Sequence, residues 1–322
     1  MTEPLPAPLW SDATDLCRDL QQGTVTATAV MDNVYARIAA LNPALNALVS
    51  LIPKEQAMTL AAAADAVPIA QRGPLHGIPM APKDAVAVRG FRTSWGYASF
   101  AEAIEEQDDE LARRLREAGA IFIGHSNMPE FGLGSHTFNR LYGHTYNPYN
   151  LSKTPGGSSG GAAVALAADL LPLADGSDLG GSLRNPASFC NVVGFRPSIG
   201  RMPFNRGFSW YGRMVTTGPM AKNVRDTILL FSVMAGPHAG DPLTLDDPGT
   251  TFLDALEPMG KTEVQQLRVG VSQDLGGLPI DAEVAETITV AAEVMRRLGA
   301  EVVESAPDLK DAMDVFQVQR AA

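Results

Sequence analysis

Two segments rich in glycine and serine carry the residues of this sequence that are best suited to chemistry. Residues 155–161 read PGGSSGG and run into an alanine-rich stretch, and residues 175–186 read DGSDLGGSLRNP. Successive glycines allow backbone N–H groups to turn toward one point, where they can stabilise a developing oxyanion. Because Ser182 directly follows Gly180 and Gly181, the second segment has the composition that acyl transfer by a serine requires.

A nucleophilic serine needs a base, and no histidine lies near Ser182 in the sequence. Lys83 lies in the segment MAPKD (80–84), in an otherwise apolar and proline-flanked stretch. Burial would lower the pKa of such a lysine from about 10.4 toward neutrality, and only then could it accept a proton at pH 7. Lys83 is therefore the candidate base.

Two other chemistries are weaker interpretations of the first segment. A phosphate-binding loop would end in Gly-Lys-Ser/Thr, and this ending is absent. Gly156, Ser158 and Gly160 also match the Gly-x-Ser-x-Gly elbow of α/β-hydrolases, in which the catalytic histidine follows the serine in the chain. His238 is the only histidine after Ser158, so that alternative depends on this one residue.

Four ordered motifs resemble those of the amidase signature family of serine hydrolases. They are GIPMAPKD (77–84), GHSNMPEFG (124–132), PGGSSGG (155–161) and GSDLGGSLR (176–184). The resemblance extends over about residues 8–305. Members of that family use a triad of serine, cis-serine and lysine.

The resemblance implies a role for each matching residue. Ser182 would be the nucleophile, Ser158 the cis-peptide serine that relays its proton, and Lys83 the terminal base. The backbone N–H groups of an oxyanion hole are expected at Leu179, Gly180, Gly181 and Ser182. A supporting role is expected for Ser159, as the cap of the next helix. Asp178 and Arg184 are expected to form an ion pair that holds the loop around Ser182, called here the nucleophile loop. Residues expected to border the substrate are Met128 and Phe131.

The activity that the resemblance implies is hydrolysis of a carboxamide through a serine acyl-enzyme, giving a carboxylic acid and ammonia or an amine. No cofactor and no metal ion are expected, and the expected partner is a small-molecule amide substrate. Two alternatives stay open. One is the glutamine-hydrolysing subunit of a tRNA-dependent amidotransferase, which shares the triad and delivers ammonia to a partner. The other is a non-catalytic fragment, because family members commonly continue past the position of Ala322 and this chain is expected to be truncated at its C-terminus.

Composition excludes several other functions. The net charge is −11 and no cluster of Lys and Arg occurs, so direct binding of nucleic acid is not expected. With only Cys17 and Cys190, the chain can form neither a disulfide framework nor a zinc site of four thiolates. It has no apolar run of membrane-spanning length and no signal-peptide pattern at its N-terminus. We therefore expect a cytoplasmic protein without membrane contact, and a homodimer is left open.

The elements that must position these residues alternate between helix and strand. A charged amphipathic helix at 108–118 precedes an apolar strand at 120–124, and the same order recurs at 159–174 and 281–303. Alternation of this kind predicts an α/β fold, with a mixed central β-sheet covered by helices on both faces. The resemblance implies the same fold, incomplete at the C-terminus. Lys83 would lie on or beside a further strand at 81–88.

We expect one domain over residues 1–322. It would contain an N-terminal helical part (1–70), a catalytic core with the signature motifs (71–240) and a partial C-terminal part (241–322). The loop-like stretch 241–262 is the only plausible boundary within the chain.

Overall fold

The computed structural model describes residues 6–203 and 214–321. The α-helices in these ranges are α1 (Ala13–Gln22), α2 (Ala27–Leu45), α3 (Lys54–Asp65), α4 (Glu110–Glu117), α5 (Gly160–Ala167), α6 (Arg184–Phe189), α7 (Val224–Met234), α8 (Lys261–Gln265), α9 (Ala282–Leu298) and α10 (Ala312–Ala321). The strands are β1 (Leu48–Val49), β2 (Pro79–Met80), β3 (Ile121–Phe122), β4 (His125–Ser126), β5 (Phe138–Asn139), β6 (Gly143–His144), β7 (Ala174–Asp178), β8 (Val193–Gly194), β9 (Thr216–Ala221), β10 (Arg268–Val271) and β11 (Glu301–Glu304). None of these helices is long and apolar enough to cross a membrane.

The strands pair in both directions, in short ladders. β2 pairs with β3 and β10 with β11 in parallel, whereas β1 with β4 and β5 with β6 are antiparallel. A three-stranded antiparallel sheet has the order β7-β9-β8. The α/β class and the mixed pairing that the sequence predicts are therefore confirmed.

Lys83 lies just beyond the end of β2. The parallel pairing continues there through a single bridge between Lys83 and Ser126, with the Ser126 N–H donating to the Pro82 carbonyl at 3.0 Å. The predicted bounds of a strand at 81–88 are wrong, because Pro82 has no N–H to continue a ladder and the Val86 N–H donates back to the Lys83 carbonyl at 2.8 Å, in a turn. Lys83 therefore sits beside the strand.

Helix α5 lies at the centre of the core. Every residue from Gly160 to Leu166 is buried, and the helix packs against β1, β4, β7 and β9. Its glycine and alanine side chains are small enough to let those strands approach closely. The serines that precede α5 are consequently held against the interior.

Contacts within the chain divide it into two compact units, of which the first ends at Leu256 and the second begins at Glu257. This break lies inside the stretch 241–262. The second unit contains α8 to α10, with β10 and β11 paired in parallel before and after α9. The single domain with three parts that the sequence indicates stays a prediction.

The start of α2 is capped from the end of α3. The Asp65 carboxylate accepts hydrogen bonds from the N–H of Ala27 at 2.6 Å, the N–H of Thr28 at 3.1 Å and the Thr28 hydroxyl at 2.8 Å. Free N–H groups at a helix start, and the helix dipole, both favour an anion at this position. The carboxylate thus joins two helices that are separate in sequence.

Asp65→Ala should lower the free energy of unfolding by about 2 kcal/mol, because the N–H groups of Ala27 and Thr28 lose their acceptor, although Thr26 still accepts from the Ala29 N–H. The control is Asp32→Ala, which removes an exposed ion pair between Asp32 and Lys54 and should cost less than about 0.5 kcal/mol. Urea unfolding followed by circular dichroism measures both values. Equal losses for the two variants would contradict the capping role.

Candidate active site

Ser158 lies two residues before the start of α5, and the peptide bond between Gly157 and Ser158 is cis. Its side chain is buried. The hydroxyl of Ser158 accepts a hydrogen bond from the Lys83 amine, with 2.7 Å between Nζ and Oγ. Two of the residues singled out by the motifs are therefore in direct contact, although 75 residues separate them in the chain.

The Lys83 amine is surrounded by serine hydroxyls. Besides Ser158, its Nζ lies 3.0 Å from the Oγ of Ser159 and 2.9 Å from the Oγ of Ser177. The lysine itself is only 1% exposed. The amine has therefore exchanged its water shell for three neutral acceptors.

Burial lowers the pKa of Lys83 to about 7, although the negative charges of Asp175 and Asp178 act in the opposite direction. A large fraction of this lysine is then an uncharged amine near neutral pH. Such an amine can accept a proton, which an exposed lysine could do only in much more alkaline solution. The electrostatics of Lys83 are those of a general base.

Ser159 does not cap α5, and the prediction that it would is wrong. Its hydroxyl makes no capping hydrogen bond. It accepts instead from the Ser177 N–H at 3.2 Å and from Lys83, and it donates to the Ser177 carbonyl at 3.3 Å. Strand β7 packs beside the turn at Ser158 and Ser159, which we call the serine turn. It offers these partners to the Ser159 hydroxyl in place of the N–H groups of the helix.

Ser177 is a site residue that the sequence analysis missed. Its hydroxyl is the third acceptor for Lys83, and it belongs to β7. The available signal was strand alternation, which places Asp175 and Ser177 on one face of the strand. Using it required the knowledge that Lys83 packs against that face.

A buried carboxylate holds the nucleophile loop. Asp178 accepts from the side chain of Arg184 at 2.9 and 3.0 Å, and Arg196 lies 3.3 Å away. It also accepts from the backbone N–H of Gly181 at 2.8 Å and of Leu183 at 3.2 Å. Burial alone would raise the pKa of Asp178, but the hydrogen bonds from Arg184 and Gly181 lower it below its ordinary value. The loop is thus anchored by an ionised side chain.

The nucleophile candidate Ser182 lies in this loop and is half-buried. Its backbone carbonyl accepts from the Ser159 N–H at 3.2 Å, which ties the loop to the serine turn. Within residues 6–203 and 214–321, the Ser182 hydroxyl has no hydrogen-bond partner. The structure thus joins the two segments through the backbone.

The oxyanion-hole prediction requires one correction. The Gly181 N–H donates to the Asp178 carboxylate, so it is not available to a substrate oxygen. No acceptor among the described residues binds the N–H groups of Leu179, Gly180 and Ser182. These three N–H groups can therefore still face a developing oxyanion.

The two substrate-site candidates differ in exposure. Met128 is buried, whereas Phe131 is 45% exposed and packs against the rings of Tyr97 and Phe100 at 5.1 and 6.1 Å. A Cβ at Gly132, the residue after Phe131, would lie 3.6 Å from the Ser158 hydroxyl. The segment with Phe131 therefore passes directly beside the serine turn.

His238, on which the α/β-hydrolase alternative depends, has other partners. Its Nε2 lies 3.7 Å from the Glu110 carboxylate of α4, and its Nδ1 accepts from the Gly240 N–H at 3.1 Å. The group in contact with the Ser158 hydroxyl is the Lys83 amine. The geometry thus favours lysine over histidine as the base.

Comparisons with known proteins agree on one family. The family model described as Amidase matches residues 29–321. An acylamidase of Rhodococcus erythropolis is 36% identical over 304 residues, which cover 92% of this chain and 62% of that protein. A glutamyl-tRNA(Gln) amidotransferase subunit of Alkalilimnicola ehrlichii is 35% identical over 306 residues, which cover 94% of this chain and 62% of that protein. This chain thus spans less than two thirds of the length of these curated relatives.

Solved structures are similar to this chain over nearly its whole length. A bacterial aryl acylamidase of the amidase signature family superposes with a TM-score of 0.83 at 29% identity, covering 95% of this chain and 64% of that one. The peptide amidase from Stenotrophomonas maltophilia gives a TM-score of 0.83 at 32% identity, covering 98% of this chain and 66% of that one.

The serine turn depends on a close backbone approach at Gly161. A Cβ at this position would lie 2.3 Å from the Asn127 nitrogen and 2.6 Å from the Ala47 carbonyl oxygen. Both are backbone atoms, which cannot rotate away as a side chain can. Only glycine allows α5 to begin against these two segments.

Gly161→Ala should therefore lower the free energy of unfolding by about 3 kcal/mol, because the added methyl group overpacks the core. The control is Gly270→Ala in β10, where the nearest atom would be 3.6 Å away and the change should be within about 1 kcal/mol. Denaturant unfolding of both variants measures the difference. A Gly161→Ala variant as stable as the parent would contradict this packing argument.

Proposed function

Because this chain belongs to the amidase signature family, we propose that it hydrolyses a carboxamide through a serine acyl-enzyme. Ser182 is the nucleophile, Ser158 relays its proton and Lys83 is the base. The observation that carries the proposal is the buried Lys83 amine within 2.7 Å of the Ser158 hydroxyl. The identity to an acylamidase and the similarity to amidase structures support it.

The reaction begins as the Ser182 Oγ attacks the carbonyl carbon of the amide. Its proton passes to Ser158, whose own proton passes to the Lys83 amine. The carbonyl oxygen becomes an oxyanion, which the N–H groups of Leu179, Gly180 and Ser182 stabilise by hydrogen bonding. The carbon–nitrogen bond then breaks as the proton returns from Lys83 through Ser158 to the leaving nitrogen.

Water completes the cycle by attacking the ester between the acyl group and Ser182. The same relay takes a proton from the water and returns one to the Ser182 oxygen, so the products are the free enzyme and a carboxylic acid. Arg184 and Asp178 act only on the loop, by keeping Ser182 and its neighbouring N–H groups in position. Phe131 contributes to the substrate side of the site, with Met128 packed in the interior.

The substrate in this proposal is a small linear amide. Both cysteines, Cys17 and Cys190, are free and buried, which suits a reducing compartment, and we assign the protein to the cytoplasm on that ground. The proposal includes neither a metal ion nor an organic cofactor.

A second candidate function is glutamine hydrolysis for a tRNA-dependent amidotransferase. The 35% identity to a glutamyl-tRNA(Gln) amidotransferase subunit favours it, and the same triad would release ammonia for a partner protein. Two assays distinguish the functions. Ammonia release from glutamine, with copurification of a partner, supports the amidotransferase, whereas turnover of simple acyl or aryl amides without glutaminase activity supports the amidase.

Ser182→Ala should reduce turnover by about 10⁴-fold or more, and Lys83→Met by about 10³-fold or more, because neither group has a substitute. The controls are Ser152→Ala and Lys153→Met, which change an exposed serine and an exposed lysine. Amide hydrolysis is measured together with labelling by a fluorophosphonate probe, and peptide mapping locates the adduct.

An adduct on a serine other than Ser182, or full activity of Lys83→Met, would overturn the triad. A folded parent chain that takes no adduct would support the non-catalytic alternative.

The activity should also depend on pH through Lys83, whose pKa burial lowers to about 7. The protonated lysine cannot accept a proton, so kcat/KM should fall about tenfold for each pH unit below that pKa and level off above it. A profile of kcat/KM for amide hydrolysis from about pH 5 to about pH 9 measures this fall at low pH, which we call the acid limb. A flat profile across neutrality would exclude Lys83 as the base.

A further inference from the structure

Asp175 is a second buried carboxylate beside the site, and the proposed reaction does not use it. It is 1% exposed and lies in β7, two residues before Ser177. Both of its carboxylate oxygens lie 3.3 Å from the Lys83 backbone nitrogen and share its N–H. The side chain thus holds the main chain of the base from the same strand face that provides Ser177.

The charge of Asp175 has few partners. Asp178, three residues later, pairs with Arg184 and Arg196. In the part of the chain that the structure describes, no arginine or lysine side chain forms an ion pair of 4 Å or less with Asp175. The positive charge that acts on it is that of Lys83, and a buried carboxylate without any opposite charge would be strongly destabilised.

We propose that Asp175 is a positioning residue of the amidase reaction. It fixes the backbone of Lys83, and its negative charge stabilises the ammonium that forms when Lys83 receives the proton of Ser182 through Ser158. The three serine hydroxyls around the amine are neutral and cannot supply this charge. The inference rests on the proposed function, since it concerns the base of that reaction.

The electrostatics agree with this geometry. Burial raises the pKa of Asp175 to about 6 against the effect of Lys83, and it lowers that of Lys83 to about 7 against the effects of both aspartates. The other titratable groups close to the lysine backbone are His125 in β4, whose pKa burial lowers, and Asp84, whose carboxylate binds the turn at Ser94. The carboxylates whose charges act on Lys83 are Asp175 and Asp178, and of these two only Asp178 is paired with arginine among the described residues.

The test is Asp175→Asn, which keeps an oxygen acceptor for the Lys83 N–H and removes the charge. The pKa of Lys83 should fall, because its ammonium loses a stabilising charge. The acid limb of kcat/KM and of the fluorophosphonate labelling rate should move to a pH lower by about 1, and the plateau should fall about tenfold because a weaker base accepts the proton.

The matched control is Asp226→Asn. Asp226 is also buried and accepts backbone N–H groups, those of Ala13 and Thr14 at the start of α1. Its loss should reduce stability and leave the acid limb in place. A shift of the limb in this control as large as that in Asp175→Asn would mean that general destabilisation moves the profile, and would overturn the inference.

A second readout does not need catalysis. The sequence has six lysines, so the 13Cε resonance of Lys83 can be assigned by its disappearance in Lys83→Met and titrated by NMR. We expect Lys83 to titrate at lower pH in Asp175→Asn than in the parent chain. An unchanged titration overturns the inference even if activity is lost. A shifted titration in a chain without labelling or amide hydrolysis supports the effect of Asp175 on Lys83 and overturns the proposed function.

Discussion

The burial of one amine is the constraint on which the rest of this site depends. Lys83 can leave water only if protein groups accept its hydrogen bonds, and the acceptors come from the serine turn at Ser158 and Ser159 and from Ser177 in β7. These segments meet only because α5 fits between the strands. The close approach at Gly161 therefore belongs to the same arrangement as the lysine.

Two aspartates of one strand show how local charge divides the tasks. Asp178 is surrounded by Arg184, Arg196 and backbone N–H groups, so its pKa is lowered and its charge serves the loop that holds Ser182. Asp175 has no arginine beside it among the described residues, and burial raises its pKa. The difference follows from the partners, since both carboxyl groups are buried. One strand thus provides an anchor for the nucleophile loop and a charge that acts on Lys83.

Much of the site follows from sequence, because its motifs specify residue types at fixed local spacing. The α/β alternation is of this kind, whereas the relay between Lys83 and Ser158, which are 75 residues apart, is implied only by the family resemblance. A serine before a helix is usually its N-cap, so the sequence predicts that role for Ser159. The prediction is wrong because the Ser159 hydroxyl binds Ser177 in β7, which lies 18 residues further along the chain. Ser177 was missed for the same reason. The Gly181 N–H was misassigned because its acceptor, Asp178, becomes evident only when the loop is folded.

A lysine base couples the chemistry of the site to its packing more tightly than a histidine base would. Histidine titrates near neutrality in water, whereas the pKa of a lysine reaches that range only if the amine stays dry. Any change that admits water to Lys83 would raise its pKa and remove the base at neutral pH, with every proposed catalytic residue still present. The buried small residues of α5 and the three hydroxyls are thus part of the proton-transfer machinery, although only Ser158 carries a proton in the proposed reaction. This explains why the site is built on the most buried helix of the first unit.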